Sequence, residues 1–153
     1  MPVRVLGKCG SGTTVDITEG MLWAAGGSIP GVPANPTPAR VVNLSIGGPG
    51  ECTTFEQDAF DEALSRGALV VVSAGNDNDN ADGYSPASCY GVSTVVATDP
   101  YGYRASYSNY SVYADISAPG GDKSRYTTQD GVLSSVDNSP SDPSGDYVFD
   151  WYQ

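Results

Sequence analysis

Apolar residues follow two periods along the first part of the chain. Val41-Val42-Asn43-Leu44-Ser45-Ile46 and Ala68 to Ala74 are short, nearly unbroken apolar runs, each followed by glycine. Runs of this length and β-branched content predict strands, and their continuity fits a parallel sheet covered on both faces. Between them the period becomes helical: Ala59, Phe60, Ala63 and Leu64 share one face. Thr53 and Glu56 have the spacing of a capping box, and Arg66-Gly67 supplies a cationic end and a C-cap. An earlier helix opens at Thr13, with Asp16 three positions on. Its stripe of Ile17, Met21, Leu22, Ala24 and Ala25 stops at Gly26-Gly27. Met1 to Lys8, carrying Val3, Val5 and Leu6, reads as a strand before the turn Cys9-Gly10-Ser11-Gly12.

Strand, helix and strand at this spacing form a βαβ unit, so 41–46 and 68–74 should lie parallel with a right-handed crossover. Residues 27–39 carry four prolines and no periodicity, which predicts an ordered connection. Val92 to Thr98 is a further buried strand. Arg104 to Tyr107, Val112 to Ile116 and Val132 to Val136 read as shorter strands separated by turn-forming residues. The tyrosine-rich segment 101–113 fits strands with alternating polar partners. No repeat is apparent, and the pattern defines an α/β domain.

Composition narrows the function. The 153 residues are 39% hydrophobic and 16% charged, with 19 glycines and 11 prolines, as in a loop-rich globular protein. A net charge of −11 leaves little to neutralise phosphates, so neither nucleic acid nor an anionic membrane surface is an expected partner. No stretch is long enough to span a bilayer, and MPVRVLGKCG lacks the apolar segment of a signal peptide. The three cysteines match no paired metal spacing and the chain has no histidine, so no metal site is expected. Cys52 and Cys89 flank the two strands that the βαβ unit places side by side, which makes them the expected disulfide, with Cys9 left to pair upstream. The absence of histidine also removes the commonest general base at neutral pH.

Ligands of parallel sheets sit at the carboxyl ends of the strands, so Gly47-Gly48 and Gly75-Asn76 mark one candidate edge. Glycine permits close backbone approach, and an asparagine amide is a neutral donor that can face a developing negative oxygen. Asn76 is equally compatible with a plain turn-forming role. The loop Asn78 to Gly83 alternates oxygen ligands but lacks the later glutamate of a calcium loop, so it reads as a solvated acidic loop. Asn43-Leu44-Ser45 and Asn109-Tyr110-Ser111 fit the glycosylation triplet; the first falls in a strand expected to be buried, and neither needs modification to be explained.

Five segments in order carry a resemblance: VVNLSIGG (41–48), VVVSAGN (70–76), YSPAS (84–88), RASYSNY (104–110) and DISAPGG (115–121). Together they resemble the subtilisin-like serine proteases, and MPVRVLGKCGSG followed by a helix containing MLWAA resembles the segment that precedes this family's Ser-Ile-Gly-Gly strand. The resemblance implies a three-layer α/β/α fold with a mostly parallel sheet, of which residues 1–153 are the central part. It implies that Ser45, Ile46, Gly47 and Gly48 pair with an extended polypeptide substrate and form one wall of the specificity pocket. Ser73, Ala74 and Gly75 would form the opposite wall, and Asn76 would be the oxyanion-hole donor.

The family's chain order is Asp, His, then the nucleophilic Ser, with the asparagine between the last two. The chain has no Asp-Thr-Gly, His-Gly-Thr or Gly-Thr-Ser-Met. The resemblance therefore implies a fragment whose triad lies outside Met1–Gln153, inactive by itself, from a secreted, monomeric serine endopeptidase. It implies no organic cofactor, and leaves a structural calcium ion to the full-length protein. Asp115 falls near a family region associated with cations. The rival reading is a noncatalytic peptide-binding module of the same fold. A nucleotide-binding α/β domain lacks its GxGxxG or P-loop.

Overall fold

The computed structural model describes residues 1–125, 131–137 and 147–152. Helix α1 spans Thr14–Ala24, with Thr13 as N-cap accepting from the Asp16 N–H at 3.1 Å. After the proline-rich connection come β1 (Val41–Leu44), β2 (Gly48–Pro49), α2 (Thr54–Ser65) and β3 (Leu69–Ser73). A 3-10 turn at Ala81–Gly83 leads into β4 (Tyr84–Ser85), then β5 (Ser93–Thr98) and β6 (Ile116–Pro119). Strands β7 (Val132–Asp137) and β8 (Tyr147–Tyr152) form a separate antiparallel pair.

The principal sheet has the order β1-β3-β5-β6, and every pairing in it is parallel. The expected βαβ unit is present: Val41 to Leu44 pair in register with Leu69 to Val72 around α2. The capping box of α2 is complete. The Thr53 hydroxyl accepts from the Glu56 N–H, and the Glu56 carboxylate accepts from the Thr53 N–H at 2.9 Å. Gly67 closes the helix at φ +81°. Arg66 pairs with Glu62 at 2.7 Å and donates to the Gly26 carbonyl, tying the ends of the two helices together.

Both helices cover one face of the sheet. Met21, Ala24 and Ala25 of α1 and its C-cap, and Ala59, Phe60 and Ala63 of α2, pack on Val42, Leu44, Val70 and Val72 in one cluster. The many alanines let the helices approach closely, while Phe60 and Met21 fill the remaining space. The opposite face is open among the described residues: Val41, Asn43, Leu69 and Ile116 are all exposed there. The described residues thus supply two of the three expected layers. The apolar runs suggested cover on both faces, but only every second residue is buried, so Asn43 is exposed instead of buried in its strand.

Three strand expectations differ from the structure. Met1–Lys8 is not a strand; Val5 lies against Gly20 of α1 and against Gly12, so the segment follows the helix and has no ladder partner among the described residues. Arg104–Tyr107 makes only a single bridge, Thr98 to Arg104, and then turns to organise a loop. Val112–Ile116 reaches the sheet only at its last residue, because Ser111 and Asp115 are used in turns and side-chain contacts first. Part of the C-terminal stretch, 138–146, lies outside the described residues.

Candidate active-site groove

Parallel pairing of β1 with β3 brings the segments that follow them out side by side. Ser45, Ile46, Gly47, Gly48, Ser73, Ala74, Gly75 and Asn76 line one cavity of about 700 Å³, with Tyr84, Ser85 and Pro86 beside them. Glu56 and Phe60 reach it from α2 and Leu6 from the N-terminal segment.

The first wall is fixed by an unusual density of short contacts. Gly48 pairs with Ser85 and Pro49 with Tyr84 in a two-residue antiparallel ladder, and the Gly50 N–H donates to the Gly83 carbonyl at 2.8 Å. A Cβ on Gly47 would lie 3.0 Å from the Ser85 carbonyl oxygen, a tight contact that would press this wall by a few tenths of an ångström. Ser85-Pro86 is a cis peptide. The Ser85 hydroxyl donates to the second oxygen of the Glu56 carboxylate at 2.5 Å. Burial works against ionisation of Glu56, but the bonds from Ser85 and Thr53 outweigh it and hold the carboxyl below its ordinary value. Beyond the ladder, the Cys52 N–H donates to the Ser88 hydroxyl at 3.0 Å, and the expected Cys52–Cys89 disulfide closes the connection. Cys9 is a free, exposed thiol among the described residues.

The second wall ends on Asn76, which is exposed and whose side chain has no hydrogen-bond partner among the described residues. The backbone around it is held firmly. Gly75 has φ +108°, a region that glycine enters without strain. The buried Asn109 donates from Nδ2 to the Ala74 carbonyl at 3.0 Å and from its backbone N–H to the Gly75 carbonyl at 3.0 Å. Its Oδ1 accepts from the N–H groups of Asp77 at 2.8 Å and Asp79 at 3.1 Å. Arg104 donates to Asn78 Oδ1 at 2.8 Å and lies over the Tyr110 ring.

Two contributors to the groove were not singled out as site residues in the sequence. Glu56 was visible only as a cap and Asn109 only as a glycosylation triplet, an assignment its complete burial makes unfavourable. Periodicity carries no signal for either, since one bond spans 29 residues and the others 30 to 35. The acidic loop is used internally: Asn80 Oδ1 accepts from the Asp82 N–H, and the Asp82 carboxylate accepts from the Ser111 hydroxyl. Asp115 accepts from the Thr94 N–H at 2.8 Å. Among the described residues no three His, Cys, Asp or Glu side chains converge as a metal site would require.

Fold and groove define an α/β protein with a cleft at the carboxyl ends of its parallel strands, floored by glycines and flanked by a free asparagine amide. The Subtilase family model matches residues 1–151, and the chain belongs to that family. It is 52% identical over 120 residues to an extracellular protease of Xanthomonas campestris pv. campestris, covering 78% of this chain and 20% of that protein. Identity to Subtilisin Savinase of Lederbergia lenta is 40% over 118 residues, covering 77% of this chain and 39% of the relative. Among solved structures, a protease from Pseudoalteromonas arctica superimposes with a TM-score of 0.93 at 48% identity, over 99% of this chain and 44% of the other. The chain thus spans less than half the length of these relatives.

Proposed function

We propose that this chain forms the substrate-backbone groove and oxyanion corner of a secreted serine endopeptidase that cleaves polypeptides through an acyl-enzyme. The observation that carries the reading is the position of Asn76: its unengaged amide stands at the cavity between the two glycine-bearing strand ends. An extended peptide would pair its backbone with the Ser45 to Gly48 and Ser73 to Gly75 segments, with the glycines admitting close approach. The Asn76 Nδ2–H would then donate to the carbonyl oxygen as it gains charge. Such a donor stabilises the tetrahedral intermediate more than the ground state, which raises turnover without tightening substrate binding.

A Ser-His-Asp mechanism needs an imidazole to take the serine proton, and the chain has no histidine. The polypeptide by itself is therefore proposed to be inactive, with its share of the site confined to binding and oxyanion stabilisation. Secretion is supported by relatives named as extracellular proteases, and no helix among the described residues is long and apolar enough to cross a membrane. The reading takes the protein as a monomer and involves no organic cofactor.

The test titrates the ¹⁵N-labelled chain with an N-acylated tetrapeptide carboxylate and with its carboxamide. Shifts should concentrate at Ile46 to Gly48 and Ser73 to Asn76, and Asn76→Ala should abolish the preference for the carboxylate. Shifts located elsewhere, or a preference that survives Asn76→Ala, overturn the reading. Purified chain should give no fluorogenic peptide turnover above the Asn76→Ala variant.

A further inference from the structure

We propose that Asn109 is the positioning residue of the oxyanion corner: a single buried side chain that straddles Asn76 and sets the direction of its amide. The inference rests on the reading of Asn76 given above for its catalytic meaning, but the clamp itself is a property of the fold.

The geometry is specific to the residues on either side of position 76. On the upstream side Asn109 donates twice, to the carbonyls of Ala74 and Gly75, both at 3.0 Å. On the downstream side one oxygen receives two backbone N–H groups, those of Asp77 and Asp79. Asn76 is the residue in the middle, and its own side chain is left out of the network. Further contacts from the same loop hold the downstream arm: the Asn78 N–H donates to the Tyr107 carbonyl at 2.9 Å and the Tyr110 N–H to the Asp79 carbonyl at 3.0 Å. Asn109 is fully buried and its bond to the Ala74 carbonyl is shielded from water, while its bonds to the Asp77 and Asp79 N–H groups are partly shielded.

The chemistry of the position admits few other residues. The task needs a donor and a twofold acceptor on one short planar group, which the carboxamide alone provides at this size. Aspartate keeps the acceptor toward the Asp77 and Asp79 N–H groups but lacks the donor to the Ala74 carbonyl, so it holds one arm only. Serine and alanine cannot bridge the two arms. Gly75 completes the device, because a Cβ there would overlap the Asn109 carboxamide. A corner that stabilises charge appearing only in the transition state must hold its donor in place beforehand, and that is what such a clamp supplies.

Amide hydrogen exchange on the isolated chain tests the clamp directly. In Asn109→Ala, the Asp77 and Asp79 amides should lose protection about tenfold to a hundredfold beyond the loss that lowered global stability imposes on Val71 and Val72 in β3. The near-isosteric Asn109→Asp keeps the acceptor and should retain protection at Asp77 and Asp79; it serves as the second variant if the alanine form fails to fold. Unchanged exchange at 77 and 79 in Asn109→Ala overturns the clamp, as does equal loss across β3 or loss of both protections in Asn109→Asp.

Its role toward the oxyanion is read separately from peptide binding. Asn109→Ala should lose the preference for the tetrapeptide carboxylate over its carboxamide as fully as Asn76→Ala does, with carboxamide affinity changed less than about twofold. A preference kept in Asn109→Ala and lost in Asn76→Ala overturns the positioning role and leaves Asn76 standing. If the wild-type chain itself shows no such preference, the reading of Asn76 fails instead, and the exchange result still decides the clamp.

Discussion

Ser85 and Glu56 are joined by a hydrogen bond of 2.5 Å between residues 29 positions apart, and this bond makes a helix cap part of a groove wall. One carboxylate oxygen closes the capping box of α2 on Thr53 while the other holds the serine that pairs with Gly48. Helix, turn and the strand that lines the cavity are thereby fixed by one side chain.

Glu56→Ala should lower stability by about 1–3 kcal/mol, since it removes the cap partner and leaves the Ser85 hydroxyl unpaired. The pH dependence has a definite sign. The folded carboxyl is held below its ordinary value of 4.5, so its contribution is fully present above that pH and is lost as the pH falls through the lower folded value. Urea unfolding of wild type and Glu56→Gln should show its largest gap near neutrality and a narrowing gap below about pH 4.5. A gap that widens in acid contradicts this assignment.

The buried Asp122 acts in the same direction. Burial opposes its charge, yet the bonds from Ser106, Ser124 and Arg125 keep it below its ordinary value of 3.8. Asp122→Ala should destabilise by about 1–3 kcal/mol at pH 7, and by less at pH 3, in the same urea experiment.

Gly75→Ala combines two costs, a left-handed backbone at φ +108° and a Cβ that collides with the Asn109 carboxamide. The expected loss is about 2–4 kcal/mol, measurable as a lowered midpoint of thermal unfolding. Gly48→Ala, where a Cβ meets open space and φ is not positive, should cost about 1 kcal/mol or less in the same scan.

Asn76→Ala and Asn109→Ala should separate cleanly in stability although the two residues serve one corner. Asn76 is exposed and unbonded among the described residues, so its loss should change unfolding free energy by less than about 0.5 kcal/mol. Loss of Asn109 leaves the buried Ala74 carbonyl and the partly shielded Asp77 and Asp79 N–H groups unpaired, and should cost about 2–4 kcal/mol by urea denaturation.

The Cys52–Cys89 disulfide closes a loop of 37 residues, for which loop-closure entropy gives about 4 kcal/mol. Intact-mass analysis after alkylation should find one modified thiol before reduction and three after it. The double Cys52→Ser, Cys89→Ser variant should unfold at correspondingly lower denaturant.

What could be read in advance follows the range of the interactions. The βαβ unit rests on local signals, the periodicity of Ala59 to Leu64 and the Thr53–Glu56 box, and it appeared in register. The disulfide followed from that unit's topology. Met1–Lys8 has the composition of a strand, but composition specifies a strand's fitness and not its partner; among the described residues no strand pairs with it, and Val5 packs on α1 instead. Arg104–Tyr107 alternates as a strand does, but Ser108 and Asn109 are consumed by bonds to β5 and to the 74–79 loop, which no local pattern encodes. The groove residues were legible through their resemblance to a family, whereas Glu56 and Asn109 gained their place only through contacts distant in sequence.

The sheet face left open among the described residues has a consequence for how the polypeptide behaves in solution. Val41, Leu69 and Ile116 are 59%, 44% and 58% exposed on it, and Val41 and Ile116 belong to β1 and β6, the strands at the two edges of the sheet among the described residues. Mutual repulsion from the −11 charge opposes self-adhesion near neutrality and fades toward the isoelectric point near 4.1. Light scattering should therefore rise steeply on mild acidification, and lysines introduced at positions 41 and 69 should suppress that turbidity while leaving the groove on the far ends of the same strands untouched.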